Sequence, residues 1–264
     1  MKVEIVTFAN EQKPMLKNLI LSMKKYGYEY KVVGLGTKWI NFMTKIVNCM
    51  NYIKTLKPNK LVAVVDAYDV LAVRPAREFE KQFITFQSEL VIGMESCCFA
   101  NCVKLKNAPK SKYRNVNGGF YAGYASAILS MYEYILGLGI KDDQKGIGRY
   151  VNDYPQRVKL DTETKLVFNV TAYDVNELEF GNGQYYNRIT KNAPCFIHMP
   201  GIKVDNNKRA ESIGRRILGE EYVGATGEEK RRGRRRGLCK MLILSVILLV
   251  MILLGIAYVM ICME

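Results

Sequence analysis

Histidine is nearly missing from this sequence: His198 is the single one in 264 residues. That scarcity excludes zinc-finger spacing, and the seven cysteines do not make up for it. Cys97, Cys98 and Cys102 lie close together, while Cys49, Cys195, Cys239 and Cys262 are scattered. An odd count in this arrangement reads as a thiol-rich patch in a reducing compartment. No secretory signal is expected at the start, because residues 1–9 already read as a first strand, KVEIVTFA. That strand runs into TFANEQKP, which lacks the glycine-rich basic loop expected of a triphosphate-using nucleotidyltransferase. No internal repeat and no recognised nucleic-acid motif is present. Acidic residues are also short, 25 Asp+Glu against 39 Lys+Arg, for a net charge of +14. Setting aside the seven basic and three acidic residues of 228–264 leaves 32 against 22, still +10. The excess suits an anionic partner, a nucleotide or a membrane surface. Nucleic acid is discounted for want of a motif, and because the densest charge abuts a membrane-like segment.

The 49% apolar content is that of an ordinary buried core, and the length allows one large domain or two small ones. Residues 3–8 read as a buried strand. Met15, Leu16, Leu19, Ile20 and Met23 recur at helical spacing across 10–26, Gly27 ends that helix, and 30–35 form a second strand. This βαβ opening predicts a mainly parallel sheet with helices on its faces, an α/β fold. A helix is expected over 41–56, a third strand over 61–65, a short helix after Pro75, and a strand over 90–94 ending at Glu95. Residues 96–116, irregular and basic, read as a surface excursion over the site. Asn117 to Ala125, NGGFYAGYA, reads as a loop whose adjacent Gly118 and Gly119 let backbone approach a ligand. A helix is expected over 125–138 and another within 145–160. Strands are expected around LVFNV (166–170) and APCFIHM (193–199), and a last helix over 207–217.

The chemistry centres on LVAVVDAYDV, residues 61–70. A continuous apolar run is what a strand buried on both faces shows, and Asp66 and Asp69 follow where it ends. Ligands of open α/β sheets bind outside the carboxyl ends of strands. Two carboxylates there suit a hard divalent cation bridging to a diphosphate. The same pattern also fits a strand followed by a turn with a helix-capping Asp. His198 ends the final strand, ahead of Pro200, Gly201 and Lys203. Its place at a strand end favours a metal ligand over a structural histidine, and Lys203 is placed to counter a departing phosphate.

Residues 241–262 hold no charge and number 22, long enough to cross about 30 Å of hydrocarbon. The run KRRGRRR at 230–236 precedes them. A single-pass C-terminal tail anchor is expected, with the folded domain on the cytosolic side by the positive-inside rule. The expected division is a domain over 1–205, a helix and basic linker over 206–240, and the anchor. On that side the sequon Asn169-Val170-Thr171 is not expected to carry a glycan.

Taken together, VVDAYDV, NGGFYAGYA, the Asp142-Asp143-Gln144 triplet and FIHMPGIK make the sequence resemble the GT-A glycosyltransferases. Specifically, it resembles the glycosyltransferase domain of procollagen lysyl hydroxylases and its viral relatives, over about residues 1–205. The resemblance implies a Mn²⁺-dependent (or Mg²⁺-dependent) transferase using a UDP-hexose, UDP-glucose or UDP-galactose, and it leans towards retention of configuration. It implies that Asp66, Asp69 and His198 bind the metal and that Tyr68 packs on the uridine. It further implies that Lys45 and Trp39 help hold the nucleotide. Asn117, Gly118, Gly119, Gly201 and Lys203 would contact the diphosphate and sugar. Asp142 and Asp143 match acidic residues beside the donor sugar and acceptor, although a solvated helix cap fits them too. Two departures stand out: Asn-Gly-Gly replaces Asn-Ser-Gly-Gly, and the stretch after His198 is short. No collagen substrate follows. The anchor points instead to a membrane-proximal glycan, protein or lipid acceptor. The rival readings are an inactive membrane-tethered nucleotide-sugar-binding scaffold and a nucleotidyltransferase.

Overall fold

The computed structural model describes residues 2–98, 102–171, 173–200 and 208–224. In chain order the elements are β1 (Glu4–Phe8), α1 (Pro14–Lys25), β2 (Glu29–Val33), α2 (Phe42–Ile53), β3 (Leu61–Asp66), β4 (Val70–Ala72), α3 (Ala76–Thr85), β5 (Leu90–Glu95), β6 (Asn115–Tyr124), α4 (Ala125–Gly137), α5 (Asp143–Asp153), β7 (Lys159–Asp161), β8 (Val167–Asn169), β9 (Leu178–Gly181), β10 (Gln184–Asn187), β11 (Phe196–His198) and α6 (Lys208–Leu218).

Strand β3 shows why its residues are uniformly apolar. Val62 and Val64 point into a core with Ile46 and Cys49 of α2 and Ile128 and Tyr132 of α4. Leu61, Ala63 and Val65 point the other way, into Leu19 and Met23 of α1, Phe79 of α3 and Phe196 of β11. A strand covered on both faces has no polar side to alternate with. The main sheet runs β2-β1-β3-β6-β5-β7. Its pairings are parallel except at β6, which runs antiparallel to β3 and β5. A second sheet, β4-β11-β8, carries the last strand. Within it β11 is antiparallel to β4 and parallel to β8.

One difference from the sequence expectation bears on the site. The Asn-Gly-Gly stretch is the interior of β6, not a loop. Glycine there answers a packing demand rather than a turn. The hairpin β9–β10 closes through Asn182 and Gly183, with φ of +51° and +76°. Asn-Gly is the pair that such a tight turn selects. Among the described residues no helix is long and apolar enough to cross a membrane. The span expected over 241–262 and its basic run lie outside the described residues.

Candidate metal centre

Strand register assembles the centre. Parallel pairing of β1 with β3 sets Asp66 beside Phe8 at the carboxyl end of the main sheet. Pairing of β4 with β11 sets Val70 opposite His198, and the Met199 N–H donates to the Asp69 carbonyl at 2.9 Å. Asp66, Asp69 and His198 thus meet, with one potential ligand atom from each within 4.8 Å of the others. His198 Nε2 lies 3.4 Å from Asp69 Oδ1 and 3.9 Å from Asp66 Oδ2. Octahedral ligands on bonds of about 2.1 Å stand about 3 Å apart when adjacent and about 4 Å when opposite. The two distances from His198 to the carboxylates therefore fall in the range of a coordination shell. His198 Nε2 is buried and makes no hydrogen bond. Such an atom is costly unless something else satisfies it. Burial would lower the His198 imidazole, but Asp69 and Asp66 overcome that and raise it. The pocket thus favours positive charge where a cation would sit. These residues fit a hard divalent cation, through two carboxylates and one imidazole.

Gly119 lies under this group. A Cβ there would stand 2.3 Å from His198 Cε1 and 2.7 Å from Asp66 Oδ2. At Gly118 a Cβ would meet the Gln144 backbone at 3.1 Å. The glycines admit the chain's own side chains at close range. Their amides are engaged internally, Gly118 N–H with Gln144 Oε1 at 3.0 Å and Gly119 N–H with Asn117 Oδ1 at 2.8 Å.

Lys45 is carried in the first turns of α2, whose start is capped by Asn41 accepting from the Met43 N–H at 2.8 Å. Its buried ammonium donates to Asp66 Oδ1 (2.7 Å), the Gly118 carbonyl (2.9 Å) and Asp143 Oδ2 (3.0 Å). Burial would lower Lys45, yet Asp143 and Asp66 outweigh it and hold it well above the usual lysine range. On Asp66 the outcome is the reverse of simple burial: Lys45 and His198 overcome desolvation and hold it low. Asp143 is raised, because burial exceeds the pull of Lys45. Asp142 caps α5 by accepting from the Lys145 N–H at 2.8 Å. The adjacent carboxylates therefore differ: Asp143 faces inward to Lys45, and the half-buried Asp142 begins the helix.

The Tyr68 hydroxyl donates to the Glu11 carbonyl at 2.9 Å, and Lys13 Nζ lies 4.7 Å from its ring centroid. Trp39, 41% exposed, packs against Phe8 and Phe42 at 5.7 and 5.4 Å. Gly201 and Lys203 lie outside the described residues. Two buried groups were not assigned roles from sequence. Glu95, at the end of β5, accepts from Asn117 Nδ2 at 2.8 Å, and burial pushes it up to about 7. Asn169, at the end of β8, bonds to His198 Nδ1 at 2.7 Å. Its sequence signal, a sequon, pointed elsewhere. Cys98 and Cys102 are joined in a disulfide, with Cα atoms 6.0 Å apart, where free thiols were expected; Cys97 remains free.

A mixed, mostly parallel sheet with this Asp-Asp-His cluster at its carboxyl edge is GT-A-like, the fold class of many glycosyltransferases. The model of the PLOD GT domain family matches residues 1–214, and the chain belongs to that family. It is 25% identical over 199 residues to protein R699 of Acanthamoeba polyphaga mimivirus, covering 69% of this chain and 43% of the relative. It is 26% identical over 220 residues to the multifunctional procollagen lysine hydroxylase and glycosyltransferase of Caenorhabditis elegans, covering 75% of this chain and 30% of the relative. The chain thus spans less than half the length of either. A crystal structure of a glycosyltransferase involved in glycosylation of the major capsid of PBCV-1 superposes with a TM-score of 0.51. That match has 15% identity and covers 84% of this chain and 100% of the other, a likeness of fold.

Proposed function

We propose that this chain is a metal-dependent hexosyltransferase, moving glucose or galactose from a UDP-sugar to a hydroxyl of a glycan, protein or lipid acceptor. The observation that carries the reading is the Asp66, Asp69 and His198 cluster, with an unbonded imidazole nitrogen aimed between two carboxylates. Mn²⁺, or Mg²⁺ in its place, supplies there the positive charge that stabilises a departing nucleoside diphosphate. The remaining work falls to the chain's own side chains. Lys45 holds Asp66 ionised and fixed in direction. Tyr68 and Trp39 present rings on the β1 side of the metal cluster, suited to stacking the uracil. Asp142 orients the sugar and the acceptor hydroxyl at the start of α5, and Asp143 anchors that start through Lys45. Asn117 holds the β6 backbone beneath the ligands, and the diphosphate is assigned to Gly201 and Lys203, the lysine offsetting its charge.

The membrane anchor over 241–262 is part of this reading. It places the acceptor close to a bilayer. The test is UDP release by the full chain from a panel of UDP-sugars, with and without Mn²⁺. Release from one hexose only with metal supports the transferase. Binding of UDP without turnover, in the presence of candidate acceptors, would favour an inactive scaffold instead.

A further inference from the structure

Asn169 stands between the two sheets. Its register partner across β8 and β11 is His198. Its side chain is fully buried. Asn169 Nδ2 donates to the Met94 carbonyl of β5 at 2.9 Å. A carbonyl accepts only from the NH₂ end of an amide, so the Asn169 oxygen is turned the other way. That oxygen, Oδ1, lies 2.7 Å from His198 Nδ1. An amide oxygen can only accept, so Nδ1 must carry the proton. Gly93 makes room for the arrangement: a Cβ there would stand 2.8 Å from Val167 Cγ1 and 3.3 Å from Asn169 Nδ2.

The consequence is at the other ring nitrogen. Asp69 and Asp66 both face Nε2, and a neutral imidazole left to itself would turn its one N–H towards them. That tautomer would occupy the lone pair a metal needs. We infer that Asn169 is a positioning residue that locks His198 in the Nδ1–H tautomer, through the chain Met94 carbonyl to Asn169 to His198, and so keeps Nε2 open as a metal ligand. The inference rests on the metal reading of Asp66, Asp69 and His198. It also reassigns the sequon Asn169-Val170-Thr171: a side chain so buried and doubly bonded is no glycan acceptor in the folded chain. Partners of this kind behind a metal-bound histidine typically change affinity 10–100-fold when lost.

Because His198 is the sole histidine, its ring nitrogens can be read without assignment ambiguity in the untagged, ¹⁵N-labelled full chain. The measurement is the ¹⁵N shift pair of the neutral, metal-free ring, together with Mn²⁺ affinity by calorimetry. The wild type is expected to show a protonated Nδ1 and an unprotonated Nε2. Asn169→Leu is expected to invert that pattern and weaken Mn²⁺ binding by about 10–100-fold. Asn169→Asp still accepts from Nδ1–H and, when protonated, donates to Met94; it is expected to keep the wild-type tautomer and bind within a few-fold. A wild-type ring protonated on Nε2 overturns the inference whether or not any variant folds. So does Asn169→Leu with an unchanged tautomer and affinity. A wild type with the expected tautomer but no Mn²⁺ binding would sink the metal reading, and with it the purpose assigned to the lock.

Discussion

Gly119→Ala tests the packing of the metal centre with the smallest possible change. The added methyl would stand 2.3 Å from His198 Cε1 and 2.7 Å from Asp66 Oδ2. Carbon atoms pack at about 3.5–4.0 Å, so the imidazole must retreat by about 1 Å or β6 must bow away from it. Neither partner gives easily. His198 is held from behind by Asn169, and Asp66 by Lys45. Overpacking of this kind costs about 1–3 kcal/mol, which for a domain of this size lowers the melting temperature by about 2–4 °C per kcal/mol. A misplacement of about 1 Å in a reacting constellation costs on the order of 100-fold in rate. The assays are thermal unfolding without metal, Mn²⁺ calorimetry and Mn²⁺-dependent UDP release. Gly137→Ala is the control: beyond its chain neighbours and its own helix backbone nothing lies within 4 Å of its Cβ position at the end of α4, so it should be neutral or stabilising by up to about 1 kcal/mol. If Gly119→Ala matches wild type in melting temperature and Mn²⁺ affinity, the close approach of ligands to β6 is wrong.

Three further outcomes follow from the buried charges. Lys45→Met strands Asp66 and Asp143 and should cost about 3–5 kcal/mol in urea unfolding, and adding Asp143→Asn should recover part of that loss. Burial raises Glu95 from its ordinary 4.5 to about 7, so the folded state binds this proton more tightly than the unfolded chain does. Its contribution therefore falls as pH rises from about 4.5 to about 7, by up to about 3 kcal/mol. Glu95→Gln should accordingly be more stable than wild type at pH 8, with the gap closing towards pH 4, as read from melting temperature against pH. Saturating Mn²⁺, at about 100 times its dissociation constant, should stabilise wild type by about 2.7 kcal/mol and leave Asp66→Asn unmoved.

The central strands were legible because burial on both faces writes itself as an unbroken apolar run, as in Leu61–Asp66 and Leu90–Glu95. Asp66, Asp69 and His198 were legible for the related reason that strand ends are where side chains leave the core. The interior of β6 was not. Glycines at 118 and 119 look like a turn when only backbone freedom is weighed, but here they answer the bulk of His198, Asp66 and Gln144, which come from other elements. Asn169 was invisible for the same reason, since its meaning depends on the Met94 carbonyl and on a strand 29 residues further on. The helix-cap alternative for Asp142 was right as far as structure goes, while its neighbour Asp143 turned inward to Lys45. One residue of helical rotation separates those two fates, and composition alone does not set it.

The most direct test of the metal-centred account is UDP release from the preferred UDP-hexose by metal-stripped full chain, titrated with Mn²⁺. Wild type and Asp66→Asn should be run side by side, with folding of the variant verified by its unfolding curve. The account predicts no release before metal, saturable recovery in wild type, and release at least 100-fold lower in Asp66→Asn, on the order expected when a transition-state charge stabiliser is lost. Equal turnover with and without metal, or wild-type turnover in folded Asp66→Asn, would contradict it.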